Sequence, residues 1–253
     1  MDQESLSRSE TPVIEAVSAS KTYTRLRREA GLRRALIALI RQEWVTVEAL
    51  SDINFRVYQG QIIGLVGPNG SGKSSLIKML AGVIPATTGI VRVLGHIPSR
   101  RKREFLRRIG LVLGQRSQLL QELPACEALN LHRAVYDIPE DAFKASVDEY
   151  SELLGVADLL QIELRQLSLG ERMKIELVAV LSHGPEVLLL DEPTIGLDNT
   201  SITAMMKMLR DLASRDLLTA IISSHSIEAL TEVCDWYLNL VKGELHKSYC
   251  LPL

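Results

Sequence analysis

Gly67-Pro-Asn-Gly-Ser-Gly-Lys-Ser74 lies between the apolar run Ile62 to Val66 and the helix-compatible stretch Ser75 to Leu80. The pattern is G-x-x-x-x-G-K-[ST] in its required setting, strand before and helix after. Its glycines, Gly67, Gly70 and Gly72, let the backbone curl around Pro68, Asn69 and Ser71 until consecutive N–H groups point inward. Together with the N-terminus of the following helix, those groups can hold phosphates. Lys73 is placed to reach the β and γ phosphates of a nucleotide, the Ser74 hydroxyl to sit on Mg²⁺, and Ser75 to complete the cradle. With glycine near 7% of residues, a chain of this length matches the pattern by accident about once in a hundred. The flanking strand and helix lower that further, so a chance glycine turn is a poor account of it.

Two more apolar runs share the strand–turn–helix rhythm, Val187 to Leu190 and Ala220 to Ser223, and imply an α/β sheet of buried parallel strands covered on both faces. The first ends in Asp191-Glu192. At a strand's carboxyl end Asp191 can orient a Mg²⁺ shell, while Glu192 can polarise the water that attacks a γ phosphate. The plainer reading of Glu192 is that it complements the dipole of a helix beginning near Pro193. His225, just after the third run, is within reach of a nucleotide held at the sheet's carboxyl edge. Gln115 offers an amide oxygen to the Mg²⁺ shell or to the attacking water, on a loop whose motion can be coupled to a partner.

The 253 residues, 46% of them hydrophobic, are enough for one substantial core. A net charge of −2 provides no global basic field, which argues against a nucleic-acid partner. Cys126, Cys234 and Cys250 lack metal or redox spacing and read as reduced thiols in a cytosol. No run of some 18 apolar residues exists, so the chain is not expected to cross a bilayer by itself. Residues 1–12 read as a disordered lead-in and 13–253 as a single unit with no internal repeat. Within it, helical periodicity at Ala142 to Leu154 and Arg172 to Leu181 marks an inserted helical lobe over about 116–182, and Trp236 to Lys247 suggests a hairpin turning at Lys242-Gly243.

The segment 25–43 stands apart. If Leu32 to Glu43 is helical, Leu32, Leu36, Leu39 and Ile40 share a face, and six arginines crowd the whole segment. It reads either as an amphipathic helix packed on its own domain or as one touching a membrane subunit or anionic headgroups. The second basic cluster, Arg100 to Arg103 with Arg107 and Arg108, reads as a solvated helix face.

To this point the chain is a P-loop NTPase. Leu167-Ser168-Leu169-Gly170-Glu171 narrows it, because it resembles the Leu-Ser-Gly-Gly-Gln signature of ABC ATPases, departing from it at Leu169 and Glu171. The resemblance extends to Gln115 as Q-loop, Asp191 and Glu192 as Walker B and base, Gly196-Leu197-Asp198 as D-loop and His225 as switch histidine, and covers about 13 to 247. It implies a RecA-like parallel-sheet core with an antiparallel β subdomain and an inserted helical subdomain. It further implies a head-to-tail dimer, of two copies or of two related cassettes, that hydrolyses two MgATP. In that dimer Ser168, Leu169, Gly170 and Glu171 act in trans on the opposite P-loop.

The resemblance also implies separate transmembrane permease subunits, through which the cassette is held at the cytoplasmic face of the plasma (inner) membrane. Tyr23 matches the aromatic that stacks on adenine, provided the 25–43 insertion folds out; otherwise Trp44 or Tyr58 could stack. Within the superfamily the motifs look like prokaryotic exporters of drugs, antibiotics or ions, with cell-surface polysaccharide exporters close behind. A soluble non-transport ABC ATPase and a small P-loop kinase are the rivals from other classes. The first typically needs two cassettes or a long coiled coil in one chain, and the second leaves the signature unexplained.

Overall fold

The computed structural model of the chain describes residues 11–26, 44–114, 117–225, 227 and 230–250. Gln115, most of the lead-in and residues 27–43 of the basic insertion lie outside the described residues, as does the expected helix Leu32 to Glu43.

A parallel sheet carries the three apolar runs. In spatial order it comprises β5 (Ile109–Leu113), β6 (Val187–Asp191), β7 (Thr219–Ser224), β3 (Ile62–Val66) and β8 (Trp236–Val241), with β9 (Glu244–Cys250) antiparallel at the edge. Every residue of β3, β6 and β7 is buried. Their side chains alternate between two cores. Leu188, Leu190, Ala220 and Ile222 face one, and Val187, Leu189 and Ile221 face the other. Covering both faces explains why these strands read as unbroken apolar runs, each buried Leu or Ile contributing about 1.5–3 kcal/mol. The β8–β9 hairpin turns at Lys242 and Gly243, both with positive φ, as the sequence suggests.

A second, antiparallel sheet joins β2 (Trp44–Val57), β1 (Ile14–Leu26) and β4 (Thr88–Val93) in that order. Arg25 and Leu26, assigned by sequence to the basic insertion, instead finish β1, paired with Val45 and Trp44. The insertion therefore leaves and returns at one end of a long hairpin.

Among the described residues the α-helices are α1 (Lys73–Leu80), α2 (Arg103–Arg107), α3 (Ala125–Tyr136), α4 (Glu140–Leu153), α5 (Leu169–Ser182) and α6 (Asn199–Ser214). Between β5 and β6, α3, α4 and α5 form the helical lobe. Helix α5 is buried at Gly170, at Met173 and from Ile175 to Ser182, because α4 covers one side of it and β5 another. Among the described residues no helix is long and apolar enough to cross a membrane.

The second basic cluster is solvated at Arg100 to Arg103 and at Arg107, as its composition suggests, but Arg107 and Arg108 are also paired. Arg107 pairs with Asp137 at 2.9 Å, and Arg108, which caps α2, makes a two-pronged bond to Glu186 just ahead of β6, with Nη2 to Oε2 at 2.8 Å. Arg108 thereby ties the sheet's edge together and holds the Glu186 carboxyl below its usual range.

Where the lobe meets the core, a groove of about 370 Å³ runs over Ala81, Leu111 and Leu119. His132 lines it, and His132 and His183 both stack on Tyr136, at 4.4 and 4.1 Å between ring centres. His183 Nε2 lies 3.0 Å from the Ile109 carbonyl, which only accepts, so His183 carries its proton there. His132 Nε2 then donates to the bare His183 Nδ1 at 3.3 Å.

Burial lowers both pKa values from 6.5 to about 4, with His183 adding to the effect on His132. Depressed folded-state values mean stability that is complete above pH 6.5 and lost as pH falls towards 4, where only the unfolded chain gains the protons. The first protonation should remove roughly 3 kcal/mol across that window. Denaturant titrations from pH 7 to 4 are expected to fall less steeply for a His132→Gln/His183→Gln chain than for the native one; equal slopes would exclude the pair as the source.

Candidate active site

Register brings the chemistry to one edge. Val66 pairs with Ser224, Ser223 with Asp191, and Asp191 with Leu113, so the carboxyl ends of β3, β7, β6 and β5 are level. The residues that follow those ends are Gly67, His225, Glu192 and Gly114. All four loops leave from the same edge of the sheet, the usual ligand position in open α/β folds.

The P-loop wraps into α1 with Gly72 as N-cap at φ 111. A Cβ there would meet the Ala49 carbonyl oxygen at 2.5 Å, so only glycine fits. No side chain caps α1 and its first turn holds no acidic residue, which leaves its leading N–H groups to an anion. Ser71 Oγ is buried without a protein partner, a second sign of a missing polar ligand. Pro68, Asn69 and Gly70 form the exposed tip, and Ser74 and Ser75 are half-buried on α1. Lys73 is 4% exposed and folds back to donate to the carbonyls of Gly67 at 2.7 Å and Pro68 at 3.2 Å. Burial lowers its pKa, opposed by the fields of Glu192 and Asp191. A triphosphate would give this ammonium a stronger acceptor than two carbonyls.

Asp191 Oδ1 accepts from Ser223 Oγ at 2.8 Å, and Ser223 Oγ accepts from the Glu192 N–H at 2.8 Å. One hydroxyl thus orients both acidic positions. Sequence reasoning passed over Ser223; its signal was a hydroxyl two residues before His225, in register with Asp191. Glu192 sits at φ 55, a left-handed conformation that costs about 1–3 kcal/mol in a non-glycine residue. Close by, a Cβ on Gly114 would stand 2.5 Å from the Glu192 carbonyl oxygen. The expected helix at Pro193 is absent. Residues 193–196 form turns, and α6 begins at Asn199, capped by Asp198 through the Ser201 N–H at 2.9 Å. Glu192 therefore has no helix dipole to complement, and the plainer reading of it fails.

His225 connects the two halves. Its Nε2 lies 2.7 Å from Glu192 Oε1 and its Nδ1 3.4 Å from Lys73 Nζ. An ammonium only donates, so Nδ1 accepts and the ring's proton is on Nε2, pointing at Glu192. Lys73 Nζ is itself 3.9 Å from the same carboxylate oxygen. The donor set also suits Mg²⁺, since Ser74 and Asp191 supply the hydroxyl and carboxylate oxygens that such an ion takes.

On the helical lobe Ser168 caps α5 in a reciprocal box with Glu171, and Leu169 is exposed. A Cβ on Gly170 would run into the Gly196 carbonyl oxygen, so the signature and the turn before Asp198 pack directly together. Tyr23, 39% exposed, brings its hydroxyl to 3.4 Å from Ser75 Oγ, with Lys21 Nζ 5.1 Å from its ring centre. Trp44 pairs with Leu26, three positions further along the hairpin. Tyr58 lies ahead of β3, at the opposite end from the P-loop.

Comparison with known proteins narrows this nucleotide-shaped edge. The family described as ABC transporter matches residues 50–195, more than half of the chain. The chain belongs to the ABC transporter family. As a cassette of that family it binds ATP and hydrolyses it. The ATP-binding protein NatA of Bacillus subtilis is 29% identical over 199 residues, 79% of this chain and 80% of NatA. A putative ABC transporter ATP-binding protein of Archaeoglobus fulgidus is 33% identical over 75% of this chain and 78% of its own length. The bacitracin transport ATP-binding protein BcrA of Bacillus licheniformis is 32% identical over 78% of this chain but only 63% of BcrA. The dimeric structure of the bacterial ABC transporter cassette MJ0796 superposes with a TM-score of 0.78 at 21% identity, covering 94% of this chain and 99% of that one, a likeness of fold.

Proposed function

We propose that this cassette is the motor of an exporter, pairing head to tail with a second cassette around two MgATP and driving separate membrane subunits. The observation that carries the pairing is a division of phosphate ligands. Lys73 and the uncapped α1 supply one set, while the Ser168 hydroxyl is bonded to Glu171 on another lobe instead of to the P-loop. Ser168 completes the site of the opposite copy, and Asp198 lies beside that contact. Relatives named for bacitracin transport and linearmycin resistance fit this reading, although relatives of similar identity are named for methionine import.

In this reading Glu192 accepts the proton of the attacking water. His225, donating to Glu192 and accepting from Lys73, fixes where the carboxylate points. Lys73 and the α1 N–H groups bind the β and γ phosphates, Tyr23 stacks on adenine, and Ser74 and Asp191, with Gln115, would hold Mg²⁺. The ion would neutralise charge on the transferring phosphoryl group.

The membrane subunit docks in the groove between α3 and the core. Val83, Leu120, Leu131 and Val135 stand exposed there, Val135 at 67%, and an apolar rim of this kind marks an interaction site. Docking beside residues 117–118 places the partner next to the loop that follows β5, a short path to the nucleotide edge. The same reading puts the cassette at the cytoplasmic face of the membrane, as the relatives named as transporter ATP-binding proteins suggest. Contact by the insertion would involve residues 27–43, which lie outside the described residues.

Tagged cassette expressed in its own host is expected to co-purify with a polytopic membrane protein, and Leu131→Asp/Val135→Asp to lose it while keeping its thermal midpoint. Recovery of the cassette without any membrane protein would defeat the motor reading. Retention by the double variant would move the docking face elsewhere.

A further inference from the structure

At the start of α5 the signature serine is already occupied. The Glu171 carboxylate accepts from the Ser168 N–H and from the Ser168 hydroxyl, each at 2.7 Å, and Ser168 Oγ accepts from the Glu171 N–H at 3.3 Å. A serine hydroxyl has one proton to give, and here Glu171 has it. Those bonds hold the Glu171 carboxyl below its usual range, which keeps it ionised at neutral pH. Lys174, whose field reaches the carboxylate, directs its own hydrogen bond to Ser201 at 3.5 Å. The signature that this stretch resembles ends in glutamine, which is uncharged.

We propose that Glu171 sets the strength of ATP-driven pairing in this cassette, because its charge competes with the γ phosphate for the Ser168 hydroxyl. The inference rests on the head-to-tail reading above. When the pair closes, Ser168 must turn its proton from Glu171 to the phosphate. The carboxylate then stands one hydroxyl away from a like charge in an interface that excludes part of the water. Glutamine at 171 can still accept from the Ser168 N–H, so the helix stays capped, but the repulsion is gone and an amide donor is added. The closed pair is therefore weaker with Glu171 than with a neutral residue, and reopening after hydrolysis is correspondingly easier.

Sedimentation with MgATP, in a Glu192→Gln background that keeps the nucleotide intact, tests this. Glu171→Gln is expected to lower the dissociation constant of the pair about tenfold, the effect of removing one like-charge contact. Raising KCl from about 0.05 to about 0.5 M should narrow the difference, because screening weakens only the charged form's repulsion. A purely structural cap would show neither change. Equal or weaker pairing by Glu171→Gln, or a difference indifferent to salt, would overturn the proposal. If neither chain pairs with MgATP while both bind it, the head-to-tail reading itself fails.

Discussion

Lys73→Ala is expected to cut ATP turnover sharply and to weaken ATP binding by about 30- to 150-fold, the worth of a charge-assisted hydrogen bond of roughly 2–3 kcal/mol. The further loss in turnover, about 10²- to 10³-fold, comes from removing a preorganised cation from the charge that builds up on the transferring phosphoryl group. The fold should tolerate the change. Lys73 is buried and its pKa is lowered by desolvation, so the native chain already bears a cost for holding an ammonium there with two carbonyls as its nearest acceptors. Lys73→Met, which keeps the stem and drops the charge, should match alanine in activity and exceed it in stability. Fluorescent-ATP titration with a steady-state phosphate assay separates the two effects. Binding unchanged in both variants would mean that Lys73 does not touch the phosphates, and the site would have to be drawn elsewhere.

What the sequence reveals and conceals follows from how locally each feature is encoded. Ile62 to Val66 matches β3 residue for residue, because a strand buried on both faces needs an unbroken apolar run and the glycines after it end the run sharply. The order of chemistry along the chain was equally legible, since Gly67, Asp191 with Glu192 and His225 each follow such a run. Their convergence was only implied, for it depends on strand order, and β7 lies between β3 and β6 although β6 precedes it in sequence.

Features built from distant residues were hidden. The hydroxyl of Ser223 acts on Asp191 across a strand boundary, His132 finds His183 some 51 positions on, and Arg108 finds Glu186 from a helix end that composition alone assigned to solvent. β1 and β2 were obscured differently. Exposed and half-buried positions alternate irregularly along β2 and the pairing shifts register, so a period-2 signal never accumulates. Glu192 shows the remaining kind of error. Pro193 is a common first residue of a helix, yet the left-handed turn at Glu192 and the Asp198 cap delay α6 until Asn199. The departure from the local rule falls on the proposed base, where strained backbone tends to be found.

Glu192→Gln is expected to leave ATP binding intact and to slow hydrolysis by about 10²- to 10⁴-fold, the span attributed to a positioned general base. The amide keeps the side chain's shape, and its oxygen can accept from His225 Nε2 as the carboxylate does at 2.7 Å, so the geometry around Lys73 should survive. What is lost is the ability to take a proton from water. If closure precedes hydrolysis, bound ATP should then accumulate a long-lived pair of cassettes, whereas ADP, lacking the γ phosphate proposed to bond Ser168, should not.

Size-exclusion chromatography coupled to light scattering, with single-turnover quench of labelled ATP, reads both outcomes. Hydrolysis at the native rate would remove Glu192 from the base position and leave the bound water to be activated by another group. Slow hydrolysis without pairing would keep Glu192 as base but break the link between closure and the signature helix. His225→Ala distinguishes orientation from proton transfer. Without the bond from His225 Nε2, Glu192 loses its aim but the proton acceptor remains, so turnover should fall less than in Glu192→Gln.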